Sequence, residues 1–312
     1  MDRRKFLKRS VVAGLAAGLA SKLDWARGAS AVRSASDIEK SKRIGVCSWS
    51  HHGYFEKTRP KDFKWPGKML DLREYPEVVA DTYHVHNFEL CNTHFESTSP
   101  SYISDLKDAV KKAHGRVTDM PVDYEADWQG VGLCDPNDAQ WRKEIEDRKK
   151  WIDIAAALGA ESIRPNPGGT VQMTDLTRPS AAYKELAEYG KTKGIKVLIE
   201  NHGNVAAKAE NIVTIIKAAG PPWAGTLPDF GNFKEEERYE SLEAMFPLAH
   251  VVCHARGLEF DDKGHETRFD FERCVRISKA AGYKGVYSAE FGGPGDPNEG
   301  TQKIVSELSE LI

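Results

Sequence analysis

From residue 43 onward, short apolar runs alternate with longer amphipathic segments along the chain. The runs are rich in β-branched residues and have strand length, whereas the longer segments repeat apolar residues at the helical period. We predict eight strands, at residues 44–49, 88–91, 116–124, 161–164, 196–200, 225–230, 250–254 and 285–290. Eight strand–helix units indicate a parallel sheet covered by helices.

Two of the intervening helices have recognisable ends in the sequence. Asp138 is the predicted cap at the start of a long helix, which stops at Gly159 because glycine accepts the left-handed conformation found there. A helix near residues 180–193 ends at Gly194 and leads into the fifth strand. Both helices thus precede a strand, as the strand–helix alternation requires.

A single (β/α)8 TIM barrel over residues 43–312 is the predicted fold. Right-handed crossovers close eight parallel strands economically, and about 250 residues suffice for such a barrel. The alternative is a doubly wound open sheet. The first predicted strand, however, is not followed by the G-x-G-x-x-G turn of that fold. The α/β barrel is therefore favoured.

Charge is unevenly distributed between the start of the chain and the rest. The 312 residues include 44 Lys and Arg and 47 Asp and Glu, and residues 1–42 hold ten basic and only four acidic residues. The remaining body is strongly acidic and lacks the positive surface that nucleic-acid binding needs, so we expect no nucleic-acid partner. The five cysteines form no C-x-x-C pair, so neither a disulfide framework nor a thiolate metal site is expected.

The N-terminal segment is predicted to be an export signal. Arg3 and Arg4 precede Phe-Leu-Lys, which resembles the twin-arginine signal, and residues 11–20 form an uncharged stretch. That stretch is too short for a transmembrane helix of about 20 residues. We expect a signal peptide at residues 1–31, a linker at residues 32–42, recognition by the twin-arginine export machinery and a periplasmic location. A basic amphipathic helix is the alternative.

The last four predicted strands end in residues that suit a metal site. These are Glu200, Asp229, His254 and Glu290. In a parallel barrel, such positions converge on the face where active sites are built. A single acidic residue there is commonly a helix cap, but four consecutive strand ends of this type favour a site. Three adjacent carboxylates repel one another unless a cation joins them, and with an imidazole they suit one divalent ion: Mn²⁺, Mg²⁺, Co²⁺ or Zn²⁺.

This ordered Glu, Asp, His, Glu set resembles that of the xylose isomerase-like barrel superfamily. The superfamily includes sugar isomerases and epimerases, inosose dehydratase-like lyases and endonuclease IV, and the resemblance covers about residues 43–312. It implies that the four residues bind one catalytic ion, with Glu200 and Glu290 as the acid–base pair. Asn232 stands where tagatose epimerase-like members have a histidine. The third strand offers no histidine for the trinuclear cluster of endonuclease IV.

Other polar residues near predicted strand ends are candidate substrate contacts. We select His202 after strand five, Arg256 on a loop after strand seven and His94 after strand two. The alternative for each is a surface loop or a supporting role. Trp49, after strand one, suits stacking on a sugar face.

The predicted function is a metal-dependent sugar isomerase or epimerase acting through an enediolate on a free sugar or a sugar derivative. A divalent ion acidifies the C–H beside a carbonyl, and two glutamates on opposite sides can exchange its proton. The same chemistry in a dehydratase or lyase would expel a leaving group from a keto-sugar, keto-glycoside or cyclitol. A non-catalytic sugar-binding barrel and a metal-dependent hydrolase are further alternatives, and the sequence leaves the oligomeric state open.

Overall fold

The computed structural model describes residues 39–64 and 67–312. Its strands are β1 (Ile44–Cys47), β2 (Asn87–Glu89), β3 (Arg116–Val122), β4 (Ser162–Pro165), β5 (Lys196–Glu200), β6 (Ala224–Leu227), β7 (Val252–Gly257) and β8 (Val286–Phe291). Its helices are α1 (Tyr75–Tyr83), α2 (Pro100–Lys112), α3 (Glu125–Trp128), α4 (Asp138–Leu158), α5 (Thr177–Lys193), α6 (Ala209–Ala219), α7 (Arg238–Met245), α8 (Phe271–Ala280) and α9 (Pro297–Leu311). The predicted signal peptide at residues 1–31 lies outside the described residues.

All the strand ladders are parallel, and the strand order is β6-β5-β4-β3-β2-β1-β8-β7. The two end strands, β6 and β7, meet through a parallel bridge between Asp229 and His254. There the His254 amide donates to the Pro228 carbonyl at 2.9 Å, and the Phe230 amide donates to the His254 carbonyl at 3.1 Å. We call this junction the β6–β7 seam. It completes the predicted (β/α)8 barrel.

Strand alternation separates an interior layer from the outer core. Val197 and Ile199 of β5 pack in the main core with the helices, whereas Leu198 belongs to a separate apolar cluster. That cluster contains Leu198, Leu227, Val251, Val252 and Val286. Since side chains two residues apart share a face of a strand, Glu200 follows Leu198 on the same side of β5. The apolar cluster therefore lies directly beneath the strand-end polar residues inside the barrel.

The predicted strands are confirmed, with bounds that differ by a few residues. β5 matches its prediction, but β2 ends at Glu89, before the expected strand end, and β7 continues to Gly257. The predicted cap at Asp138 was wrong: the side chain of Asn137 accepts from the Gln140 amide, and α4 begins at Asp138. An Asn at the cap, with extended backbone, satisfies an amide that has no partner in the helix.

Candidate active site

Glu200, Asp229, His254 and Glu290 meet at the carboxyl ends of β5 to β8. All four are buried, and each contributes one ligand atom to a set whose members lie within 4.8 Å of one another. The Nδ1 atom of His254 is 2.9 Å from Glu200 Oε1, 2.7 Å from Glu290 Oε2 and 3.6 Å from Asp229 Oδ2. The structure thus brings the four predicted ligands together.

Asp229 is positioned by its own loop and by Asn201, the residue after β5. The Asp229 amide donates to Asn201 Oδ1 at 2.7 Å, and Asn201 Nδ2 donates to the Asp229 carbonyl at 3.0 Å. Its Oδ1 atom accepts from the amides of Gly231 and Asn232. One carboxylate oxygen is therefore used to fix the loop, which leaves Oδ2 facing the cluster.

Arg256 lies inside the cluster. Its Nη2 is 2.9 Å from Asp229 Oδ2, and its Nη1 is 2.8 Å from Glu290 Oε1. The prediction that it lies on a loop after strand seven was wrong. Arg256 is part of β7 and is the register partner of Glu290 in β8, so this pairing extends the strand. Because it is two residues from His254, it faces the same side of the strand.

The positive groups hold the carboxylates in their ionised form. Burial alone would raise the pKa of Glu200, but the charges of His254 and Arg164 outweigh it and lower the pKa to about 2. Burial is likewise outweighed at Glu290, where Arg256 and His254 lower the pKa to about 2. Burial opposes the charge on His254, yet Glu290 and Glu89 raise the pKa of its imidazole well above the usual value. The cluster is thus a strong attractor of positive charge.

Glu89 is a site residue that the sequence analysis missed. This last residue of β2 is fully buried, and its Oε1 lies 2.9 Å from His254 Nε2. The carboxylate at Nε2 holds one proton on that nitrogen, so an ion that displaces the proton on Nδ1 would find the Nδ1 lone pair directed at it. Glu89 stands inside the apolar run from Phe88 to Cys91, so the sequence did not mark it as a strand end. The predicted strand ran two residues too far, to Cys91, which placed its end nearer to His94 than to Glu89.

The chemistry of these residues fits a divalent cation. Three carboxylates and one imidazole form a ligand set common to such ions. Glu200 Oε2 is buried and has no hydrogen-bond partner, although Arg164 Nε is 3.2 Å away and His202 Nδ1 is 3.5 Å away. An oxygen in this state is available as a ligand or as a base. Glu200, Asp229, His254 and Glu290 are therefore the residues that would hold the ion.

A second grouping of ligand atoms joins Cys47 to Glu89 and His254. Burial, followed by contact with Cys91, raises the pKa of the Cys47 thiol well above its usual value. The Sγ atoms of Cys47 and Cys91 are 3.9 Å apart, and both residues are free thiols. A neutral thiol is a poor metal ligand. The four-residue set is therefore the better candidate for holding an ion.

The other two predicted substrate contacts occupy different surroundings. His202 is partly exposed beside Glu200, and its ring packs edge-on against Trp128. His94 is buried: its Nδ1 is 2.9 Å from Ser48 Oγ, and its ring stacks on Phe55 with centroids 4.1 Å apart. Burial lowers the pKa of His94 to about 3, so it is neutral. Substrate contact by His202, Arg256 and His94 stays a prediction.

Asn232, on the loop after β6, contacts Glu200. Its Nδ2 donates to Glu200 Oε1 at 3.2 Å. The amide therefore orients a predicted catalytic carboxylate and adds no titratable group.

The family model for the xylose isomerase-like TIM barrel matches residues 80–311. The chain belongs to that family. No curated protein sequence matches it significantly. None of the helices in the described residues combines the length and apolar character needed to cross a membrane.

Solved structures of similar fold include several sugar epimerases. A D-tagatose 3-epimerase-like protein is 17% identical, with a TM-score of 0.65, and the match covers 86% of this chain and 97% of that one. The IolI protein with a bound zinc atom is 14% identical, with a TM-score of 0.66, and the match covers 86% of this chain and 99% of that one. The 3-keto-D-glucoside 4-epimerase YcjR from E. coli is 15% identical, with a TM-score of 0.62, covering 85% and 98%. At these low identities, the similarity shows that this chain shares its fold with those proteins.

Proposed function

We propose that this protein is a divalent-metal-dependent sugar epimerase or isomerase. The observation that carries the proposal is the placement of Glu200 and Glu290, whose carboxylate oxygens lie 2.9 and 2.7 Å from the same His254 nitrogen. Two carboxylates held this close together can face a substrate carbon bound beside them from two sides. The epimerases among the structures of similar fold support the same reaction class.

Proton transfer is the task of the two glutamates in this proposal. Both have a pKa of about 2, so both are ionised near neutral pH, which is the form that accepts a proton. One glutamate, in its ionised form, takes the proton from one face of the substrate carbon. The other first takes up a proton from solvent and then delivers it to the opposite face in epimerisation, or to the neighbouring carbon in isomerisation, after which the first glutamate releases its proton to solvent. Arg256 and His202 flank these carboxylates, and in this proposal they hold substrate hydroxyl or carbonyl oxygens.

A bound divalent ion would supply Lewis-acid polarisation of the substrate carbonyl, which makes the adjacent C–H bond acidic. The buried position of all four ligands keeps bulk water from competing for them. A zinc atom bound in the IolI structure of the same fold supports a divalent ion in this chain.

Metal analysis and hydrogen exchange test the proposal together. The purified protein is assayed for bound metal and then incubated in D₂O with free sugars and 3-keto sugars. We expect near-stoichiometric divalent ion and deuterium wash-in at the carbon next to the carbonyl, with formation of an epimer or isomer. Release of an eliminated group instead would identify the lyase alternative. Sugar binding without exchange would identify a non-catalytic barrel.

Ligand variants provide the matched control for that experiment. Asp229→Ala and His254→Ala should each lose bound metal and deuterium wash-in, since each removes one donor. If both variants keep stoichiometric metal, the ion lies elsewhere and the proposed site is wrong.

We also propose that the protein is exported to the periplasm by the twin-arginine pathway. The proposal rests on Arg3, Arg4 and the uncharged stretch at residues 11–20, all outside the described residues. This route carries folded proteins, so the ion would be acquired before export.

A further inference from the structure

Within the described part of the chain, the exposed large hydrophobic side chains are Trp49, Trp128 and Val171. Trp49 follows β1, Trp128 ends α3 after β3, and Val171 lies between β4 and α5. All three therefore belong to connections at the carboxyl ends of strands, the same face that carries the four ligands. Exposed aromatic residues on that face are candidates for contact with a ligand that extends out of the site.

Trp128 is linked to the catalytic centre through His202. The indole and the imidazole pack edge to face, with centroids 5.0 Å apart and planes at 75°. His202 Nδ1 is in turn 3.5 Å from Glu200 Oε2. The exposed fraction rises from 1% at the Glu200 side chain to 35% at His202 and 50% at Trp128. The indole therefore lies at the mouth of the site, one side chain farther out than a catalytic carboxylate.

The backbone beneath this exposed indole is firmly held. Asp127, the preceding residue, forms a fully buried ion pair with Arg148 at 2.5 Å. Asn204, on the loop after β5, donates from Nδ2 to the Asp127 carbonyl at 2.8 Å. These contacts tie the Trp128 connection both to α4 and to the loop that carries His202. Because this segment is already ordered, it would lose little conformational entropy when a ligand binds to Trp128.

We propose that Trp128 stacks on a second sugar ring, so that the natural substrate is a glycoside or a sugar of two or more units. This inference rests on the proposed function. The reacting ring lies at the depth of Glu200 and Glu290, whereas the linked ring lies at the mouth. Pyranose rings present an apolar C–H face, which suits the face of a half-exposed indole, and aromatic side chains make large contributions to such contacts.

Calorimetry with sugars tests the proposal on the metal-loaded protein. The probes are glucose and three glucosyl disaccharides of different linkage: cellobiose, laminaribiose and sophorose. We expect at least one disaccharide to bind about tenfold more tightly than glucose, which corresponds to about 1.4 kcal/mol from the stacked ring. Trp128→Ala should abolish this difference, and Trp128→Phe should retain part of it.

Tyr189→Ala is the matched control, because Tyr189 is an aromatic residue of α5 that bonds Asp153 of α4 away from the site. It should preserve the preference for the disaccharide. Equal binding of glucose and all three disaccharides by the wild type would overturn the proposal. An equal loss of affinity for both sugar classes in Trp128→Ala would also overturn it, because the indole would then only support His202.

Turnover separates this proposal from the proposed function. The ratio of kcat/KM for a 3-keto-disaccharide to that for 3-keto-glucose should fall about tenfold in Trp128→Ala. Deuterium exchange without any disaccharide preference would reject the second-ring site and keep the epimerase. A disaccharide preference in binding without exchange on any sugar would reject the epimerase and keep the second-ring site.

Discussion

Glu89 Oε1 lies 2.9 Å from His254 Nε2, and both side chains are buried at the centre of the barrel. The contact crosses from β2 to β7, on strands far apart in the sheet order. It fixes the imidazole ring so that Nδ1 faces Glu200 and Glu290. The geometry of the four candidate ligands therefore depends on a carboxylate outside that set.

Removing Glu89 should weaken metal binding. We expect Glu89→Ala to reduce affinity for Mn²⁺ or Zn²⁺ by about 10- to 100-fold, as loss of an outer carboxylate typically does. Glu89→Gln should lose less, because its amide oxygen still accepts from Nε2. Competition with a chromophoric chelator measures the affinity.

The control for Glu89 is Asp119→Asn in the same barrel interior. Burial and the charge of Glu89 raise the pKa of Asp119 to about 8, so it is largely neutral at pH 7 and an amide replaces it closely. Metal affinity in this variant should stay near that of the wild type. A loss equal to that of Glu89→Ala would show that general disturbance of the interior, rather than the His254 contact, lowers affinity.

Arg256 should oppose the ion that the carboxylates attract. It pairs with Asp229 and Glu290 at 2.9 and 2.8 Å, and its positive charge repels a cation at the same oxygens. We expect Arg256→Met to bind Mn²⁺ about tenfold more tightly in the chelator assay. Arg256→Lys keeps the positive charge, so it should bind Mn²⁺ no more tightly than the wild type does. Weaker binding by the Met variant would mean that Arg256 chiefly orients the two carboxylates.

Glutamine substitutions test the acid–base assignment. Glu200→Gln and Glu290→Gln keep size and some hydrogen bonding but remove the base, so turnover and deuterium wash-in should fall by about 10²- to 10⁴-fold. Metal content is measured on the same samples, and Glu210→Gln on the surface of α6 is the control. Unchanged turnover at full metal occupancy would remove that glutamate from the mechanism.

Glu307 should make stability depend on pH away from the site. Burial, helped by the charges of Glu266 and Glu310, raises the pKa of Glu307 from 4.5 to about 7. Between these values the folded state holds a proton that the unfolded chain has lost, so stability should fall as pH rises from about 4.5 to 7. Glu307→Gln should flatten this part of the curve in denaturant unfolding. If the free energy of unfolding changes with pH in the same way for Glu307→Gln and the wild type, Glu307 is not the source of this pH dependence.

Replacing Arg3 and Arg4 with lysine should keep the precursor in the cytoplasm of a bacterial host. The arginine pair is the recognised feature of this class of signal, whereas the nearby Arg9→Lys should export normally. Cell fractionation and immunoblotting measure the distribution. Undiminished periplasmic delivery of the double variant would show that the N-terminal segment has another role.

The barrel and its four ligand positions were accessible from sequence because strand periodicity and strand ends are local signals. Glu200, Asp229 and His254 each follow an interior apolar residue by two positions: Leu198, Leu227 and Val252. This spacing places a polar residue directly above the apolar cluster inside the barrel.

The contacts of Arg256 and Glu89 depend on register across the sheet, which local patterns do not contain. Arg256 extends β7 because Glu290 stands opposite it in β8. Glu89 acquires its role only when the barrel brings β2 near His254. A pattern read along one strand cannot supply either neighbour.

An ion bound at the cluster would also strengthen the β6–β7 seam. Two backbone hydrogen bonds, from His254 to Pro228 and from Phe230 to His254, join the strands at the point where Asp229 and His254 face the cluster. Side chains from both edges of the seam, held by one cation, would brace the barrel where its backbone pairing is short. Metal removal should therefore loosen the amides of His254 and Phe230 first, as local opening seen by hydrogen–deuterium exchange.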